Sequence, residues 1–168
     1  MDSSLCIDLQ TKFDHLIEPI DHLIGLVPDD RLDWIPPQTS GFSFSVLLGH
    51  LMDCLAGITA TLYAAKPNEL GRFHELRKFA GNQQVNQTEA QIRLRTFQQN
   101  IKEGFGLLAD ADLSRMLPTV FVAQGESLLT LLLINFEHLA SHKYQLFLWL
   151  RMSGVKVESR DLYHFSGQ

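Results

Sequence analysis

The chain has 168 residues, of which 45% are hydrophobic and 20% are charged, and its formal net charge is -5. That length allows a sizeable core, so we expect residues 1–168 to form a single domain. The acidic balance and the scattered distribution of Lys and Arg argue against nucleic acid as a partner, because nucleic-acid binding needs a basic surface.

Three features of the sequence bear on location. Residues 1–4 are acidic and polar, unlike a signal peptide. The longest apolar run, residues 128–134, is too short to span a bilayer. Two cysteines, Cys6 and Cys54, do not make a disulfide framework. Together these features predict a cytoplasmic protein that has no membrane partner.

The first predicted helix covers residues 4–27. Its apolar residues recur at steps of three and four and therefore form one stripe: Leu9, Phe13, Leu16, Ile20, Leu23 and Val27. Pro19 lies inside this pattern and lacks a backbone donor, so we expect a kink or a break there.

The second predicted helix covers residues 44–65 and ends before Pro67. Apolar residues almost encircle it, which predicts a deeply buried helix. The polar residues 66–87 that follow are interpreted as a long crossover connection, with room for a short helix at 69–79.

The third predicted helix begins near Thr88, because Thr88 and Gln91 have the spacing of a capping box. A second irregular connection follows, in which residues 119–122 favour a short extended piece. The fourth helix is predicted over residues 126–152, with Gly154 as its C-terminal cap. No convincing pair of strands is found.

Four long helices with a long crossover between the second and the third predict an all-α four-helix bundle. The fourth helix is strongly apolar and is therefore expected to be buried. Its polar stripe should then point into the protein, where polar groups need partners.

Three histidines stand out within the two most apolar helices. His138 and His142 are four residues apart, which places both imidazoles on one face of the fourth helix. His50 lies in the second helix. A shared divalent metal would satisfy imidazoles that are costly to bury alone, and three protein ligands leave a position open for catalysis. The alternative is that His138 and His142 line a partly solvated groove.

Other polar residues near these histidines are candidates for a supporting role. Asn135 and Gln145 share the face of His138 and can hydrogen-bond to ligating imidazoles. Asp53 can either orient His50 or act as a fourth ligand. Cys54 follows His50 by four residues and could reach the same site, although the favoured interpretation is a small buried hydrophobic residue.

In combination, these features resemble the DinB-like family, also known as the DinB/YfiT-like metalloenzymes. Each matching piece is short, but their order along the chain makes the resemblance fairly specific. The pieces are Trp34 with Pro36, Ser45, residues 48–51, Gly125, His138 and His142 with Gln145, and residues 150–155.

The resemblance implies a four-helix bundle that carries a divalent metal, zinc or nickel, on three histidines, which are His50, His138 and His142 here. It also implies a homodimer. Some members of the family are transferases or isomerases that use a low-molecular-weight thiol as cosubstrate.

One position departs from the family pattern, which often has His-x-Gly-Gln where this chain has His142-Lys143-Tyr144-Gln145. Tyr144 lies about 200° around the helix from His142. The departure therefore concerns packing or dimer geometry more than metal ligation.

Two classes of function stay open at this point. In a metalloenzyme, the metal would activate a thiol for transfer to an electrophile, or a water for hydrolysis. In the other class, the protein is a non-catalytic metal-binding or stress-response bundle.

Overall fold

The computed structural model describes residues 4–37, 42–76, 84–119 and 122–163. Within these ranges helix is the dominant secondary structure and strand is confined to one short pair, which confirms the all-α class. The elements are α1 (Leu5–Gly25), α2 (Phe44–Ala65), α3 (Phe73–Leu76), α4 (Gln87–Gly106) and α5 (Leu128–Met152), with a two-stranded pair, β1 (Met116–Leu117) and β2 (Glu126–Ser127).

The four long helices form the predicted bundle. α1 packs against α4 and α5, and α2 also packs against α4 and α5. Helices α1 and α2, which are consecutive in the chain, therefore lie diagonally across the bundle. The long connection predicted between the second and third long helices joins α2 to α4, which pack against each other, whereas the diagonal step from α1 to α2 is made by residues 26–43.

Helix α1 runs through Pro19 without the predicted break. A proline inside a helix costs about 3 kcal/mol. Leu16, Ile17 and Ile20 on either side are all buried, and each such side chain contributes roughly 1.5–3 kcal/mol through burial. Packing of this face therefore outweighs the lost backbone hydrogen bond.

The N-terminus of α1 is capped by a side chain from a distant part of the sequence. Asp110 accepts hydrogen bonds from the Ser4 hydroxyl at 2.6 Å, from the Leu5 amide at 3.0 Å and from the Cys6 amide at 3.0 Å. These hydrogen bonds lower the pKa of Asp110 to about 2, and the bond from Ser4 has the largest effect. A carboxylate at a helix N-terminus is also favoured by the helix dipole.

Helix α4 begins one residue before Thr88, so the predicted capping box is wrong. Asn86 is the cap, and its side-chain oxygen accepts from the Glu89 amide at 2.8 Å. Asn86 has an extended backbone that aims this oxygen at the first turn, and asparagine is among the strongest capping residues.

Helix α5 begins at Leu128 rather than at residue 126, because Glu126 and Ser127 pair with β1. The Ser127 hydroxyl accepts from the Thr130 amide at 3.1 Å and caps the helix. At the other end, Gly154 has a φ of 88°, as the prediction of a C-terminal glycine cap requires.

The β1–β2 pair is a feature that the sequence did not predict. Gly125 precedes β2 with a φ of 80°, and a Cβ at this position would lie 2.4 Å from the Leu117 carbonyl oxygen, so glycine is needed here. Of the extended piece predicted at 119–122, residues 120 and 121 lie outside the described residues. The short helix predicted at 69–79 is α3, and residues 77–79 likewise lie outside them.

The two apolar helices α2 and α5 are buried to different degrees. In the described part of the chain, α2 is the one helix long and apolar enough to cross a membrane, but 67% of its most apolar window is buried inside the bundle. α5 is buried on one side, whereas Leu133, Ile134, Tyr144, Leu148 and Met152 are exposed. The expectation that α5 is buried therefore holds for one side of this helix only, because the bundle covers a single side.

A candidate metal centre between two helices

The packing of α2 against α5 brings the three predicted histidines together. Nε2 of His50 lies 2.9 Å from Nε2 of His142. The ring centroids of His138 and His142 are 4.7 Å apart, and those of His50 and His138 are 5.4 Å apart. Residues 92 positions apart in the chain therefore form one cluster of imidazoles.

Cys54 is the fourth member of this cluster. One donor atom from each of His50, Cys54, His138 and His142 can be chosen so that all four lie within 4.8 Å of one another. Each helix contributes a pair spaced by four residues, which places both members on the same helix face. Proteins commonly bind zinc through four nitrogen and sulfur atoms of His and Cys, so the cluster could hold a metal ion.

The cluster lies at the surface of the bundle rather than in its core. His50 and His142 are half-buried, Cys54 is 5% exposed and His138 is exposed. Within the polar stripe of α5, His142 is therefore turned toward the protein, whereas His138 lies at the edge of the packed face. His138 is therefore the member of the cluster that is most open to solvent.

The surroundings of His50 and His142 favour the neutral form of both imidazoles. Burial lowers the pKa of His50, and the nearby His138 lowers it further against an opposing effect of Asp53. Burial also lowers the pKa of His142, although its hydrogen bond to Gln145 opposes the shift. Neutral imidazole has the lone pair that a metal needs, so both side chains are ready to ligate at neutral pH.

Gln145 has the supporting position that the sequence predicted. Its side-chain oxygen lies 2.7 Å from Nδ1 of His142. Since an amide oxygen only accepts, Nδ1 is the protonated nitrogen and donates to it, and the lone pair of His142 is then on Nε2, which faces the cluster.

Asp53 lies on the outer side of His50. Its Oδ2 is 4.0 Å from Nδ1 of His50, whereas Nε2 of the same ring faces His142. Of the two roles predicted for Asp53, this geometry fits the one that orients His50, because the carboxylate lies behind the ring.

Asn135 links α5 to α2. Among the described residues, its side chain makes no hydrogen bond to a histidine. Its amide donates to the Thr61 hydroxyl at 3.1 Å and to the Leu131 carbonyl at 2.8 Å. A Cβ on Gly57 would lie 2.9 Å from the Asn135 oxygen. Gly57 therefore makes room for Asn135, and this contact sets how closely α2 approaches α5.

Phe42 is a neighbour of the site that sequence reasoning missed. Its ring lies edge-on to His50, with 6.4 Å between the ring centroids. Phe42 precedes α2 in a segment without periodicity, so no pattern in the sequence indicated this contact. It places an apolar wall beside the cluster.

The fold and the cluster together define a helical bundle with a His/Cys site that could hold a metal ion. Comparison with solved structures gives three matching chains. One is the crystal structure of YjoA, a DinB-like protein from Bacillus subtilis. It is 16% identical, with a TM-score of 0.67 over 94% of this chain and 96% of that chain. The protein therefore has the DinB-like fold. No sequence family and no curated protein matches the chain.

Proposed function

We propose that the protein binds one divalent metal ion, zinc or nickel, through His50, His138 and His142. The observation that carries this proposal is the convergence of these imidazoles from two helices, with 2.9 Å between Nε2 of His50 and Nε2 of His142. Imidazole ligands suit both metals. The hydrogen bond from His142 to Gln145 supports the proposal, since ligating histidines usually donate their second nitrogen in this way.

We propose further that this centre serves a thiol-dependent transferase, in which a low-molecular-weight thiol reacts with an electrophilic acceptor. A bound divalent metal supplies the positive charge that favours the thiolate form of a thiol. The exposure of His138 to solvent supports the proposal, as does the resemblance to the DinB-like family. The apolar ring of Phe42 offers a contact for the acceptor.

A non-catalytic metal-binding or stress-response protein is the second candidate. Cys54 favours it, because a fourth protein donor beside three histidines is typical of closed, structural sites. A metal-dependent hydrolase would need the same open position as the transferase. A screen of metal-loaded protein with thiols and electrophilic acceptors separates the transferase from the other two, since turnover is expected only for the transferase.

Metal analysis of untagged protein is the test of the metal centre. We expect about one equivalent of zinc or nickel in the wild type and none retained in His142→Ala, because that variant loses a central ligand. His22→Ala is the matched control. His22 is exposed and interacts with Asp161 at 2.8 Å, away from the cluster. Equal metal in wild type and His142→Ala, or no metal in either, would contradict the proposal.

We also propose a cytoplasmic homodimer that uses the exposed face of α5. Leu133, Tyr144 and Leu148 share this face and are exposed, and large apolar side chains together on a surface mark an interface.

Light scattering is expected to give about twice the chain mass of 19.1 kDa. Leu133→Lys should give a monomer, whereas Ile92→Lys on α4 should remain dimeric. A monomeric wild type would rule the dimer out.

A further inference from the structure

We propose that Cys54 is the fourth protein ligand of the metal centre, so that the complete shell is three imidazoles and one thiolate. This inference rests on the proposed function, because it requires a metal ion on His50, His138 and His142.

The arrangement of the donors supports a four-ligand shell. His50 and Cys54 form one pair spaced by four residues on α2, and His138 and His142 form the facing pair on α5. The four donor atoms lie within 4.8 Å of one another. Tetrahedral zinc sets its ligand atoms about 3.3–3.6 Å apart, as follows from zinc–nitrogen and zinc–sulfur bonds of about 2.0–2.3 Å. Small side-chain rotations that move the donor atoms by about 1 Å therefore suffice to bring them to tetrahedral spacing.

The neighbouring carboxylate of Asp53 does not face the cluster. Asp53 lies behind His50, 4.0 Å from Nδ1, whereas the cluster is on the Nε2 side of that ring. Among the described residues that offer metal donors, Cys54 is the one that joins the three histidines in the cluster.

The chemistry of the donor set favours this ligand. On binding, the S–H bond of Cys54 breaks, the proton leaves to solvent and a sulfur lone pair forms the bond to the metal. The thiolate cancels one of the two positive charges of the ion, which lowers the cost of placing it beside buried apolar residues. Thiolate with imidazole in tetrahedral geometry selects zinc over metals that prefer octahedral oxygen sites.

A four-ligand shell is typical of structural sites, so in a transferase this shell would have to open before the reaction. A tetrahedral shell of protein donors has no vacant position, so an incoming thiol must add as a fifth ligand or displace Cys54. Access to the metal would then depend on the side chain of Cys54, which is 5% exposed.

Cobalt substitution tests the role of Cys54 independently of turnover. Thiolate bound to Co²⁺ gives a near-ultraviolet charge-transfer band, and tetrahedral Co²⁺ gives intense visible bands. We expect both in the wild type and in Cys6→Ala, whose mutated cysteine is also buried and free but is not in the cluster. Cys54→Ala should lose the charge-transfer band, and its affinity for Co²⁺ should fall at least about ten-fold.

Cys54→Ser keeps the size of the side chain and serves if Cys54→Ala does not fold; it too should lose the band. Cobalt that binds the wild type without the band, or with equal affinity in the Cys54 variants, would overturn the role of Cys54 and leave the three-histidine centre standing. Failure of the wild type to bind Co²⁺ or Zn²⁺ would overturn both proposals.

Discussion

Zinc at a thousand-fold excess over its dissociation constant is expected to raise the Tm of the metal-free protein by about 10 °C. Ligand binding at that excess stabilises the folded state by about 4 kcal/mol, and 1 kcal/mol corresponds to roughly 2–4 °C for a chain of this size. Thermal unfolding followed by circular dichroism, with and without zinc, measures the shift.

His138→Ala is the informative variant in this experiment. His138 is exposed, so its truncation should change the free energy of unfolding of the metal-free protein by less than about 0.5 kcal/mol. The zinc-dependent shift, however, should be largely lost. His22→Ala should keep the full shift. If His138→Ala kept it as well, His138 would not be a ligand of the zinc that stabilises the protein.

Phe44→Ala is expected to lower the free energy of unfolding by about 3–5 kcal/mol, the range for removing a buried aromatic ring. Phe44 is 0% exposed at the first turn of α2. Its ring stacks on Trp34, with 5.3 Å between centroids, and lies edge-on to Trp149 at 6.0 Å. The ring therefore joins the segment before α2 to the C-terminal half of α5.

Denaturant unfolding followed by tryptophan fluorescence measures this loss directly, because Trp34 and Trp149 are the two tryptophans of the chain. Ile92→Ala is the control. Ile92 is 61% exposed on α4, and its truncation should cost less than about 0.5 kcal/mol. A loss below about 1 kcal/mol in Phe44→Ala would show that the aromatic cluster is not part of the cooperative core.

Features that repeat along one helix were predictable from the sequence. The apolar run before Pro67 predicted α2 with the bounds that the structure has. The four-residue spacing of His138 and His142 predicted a shared face, and the three-residue step to Gln145 predicted its contact with His142. These predictions succeed because helix geometry alone relates residues a turn apart.

Features that depend on the relation between helices were not predictable in the same way. An apolar stripe shows which face is buried but not which helix covers it, so the diagonal placement of α1 and α2 had no signal. The exposure of His138 agrees with the alternative of a partly solvated groove, and the sequence alone could not decide for it, because α5 is apolar on both its covered and its open face. Phe42 reaches His50 from a segment without periodicity, where no spacing rule applies.

The cap of α1 has a consequence for how the chain acquires its structure during synthesis. Ser4 makes no capping hydrogen bond with its own helix, and the carboxylate that serves the first turn belongs to Asp110. A ribosome releases the N-terminus first, so α1 leaves the exit tunnel about a hundred residues before its partner. Helices in proteins draw most of their stability from tertiary packing. The first turn of the nascent α1 therefore lacks its capping carboxylate until Asp110 has been translated.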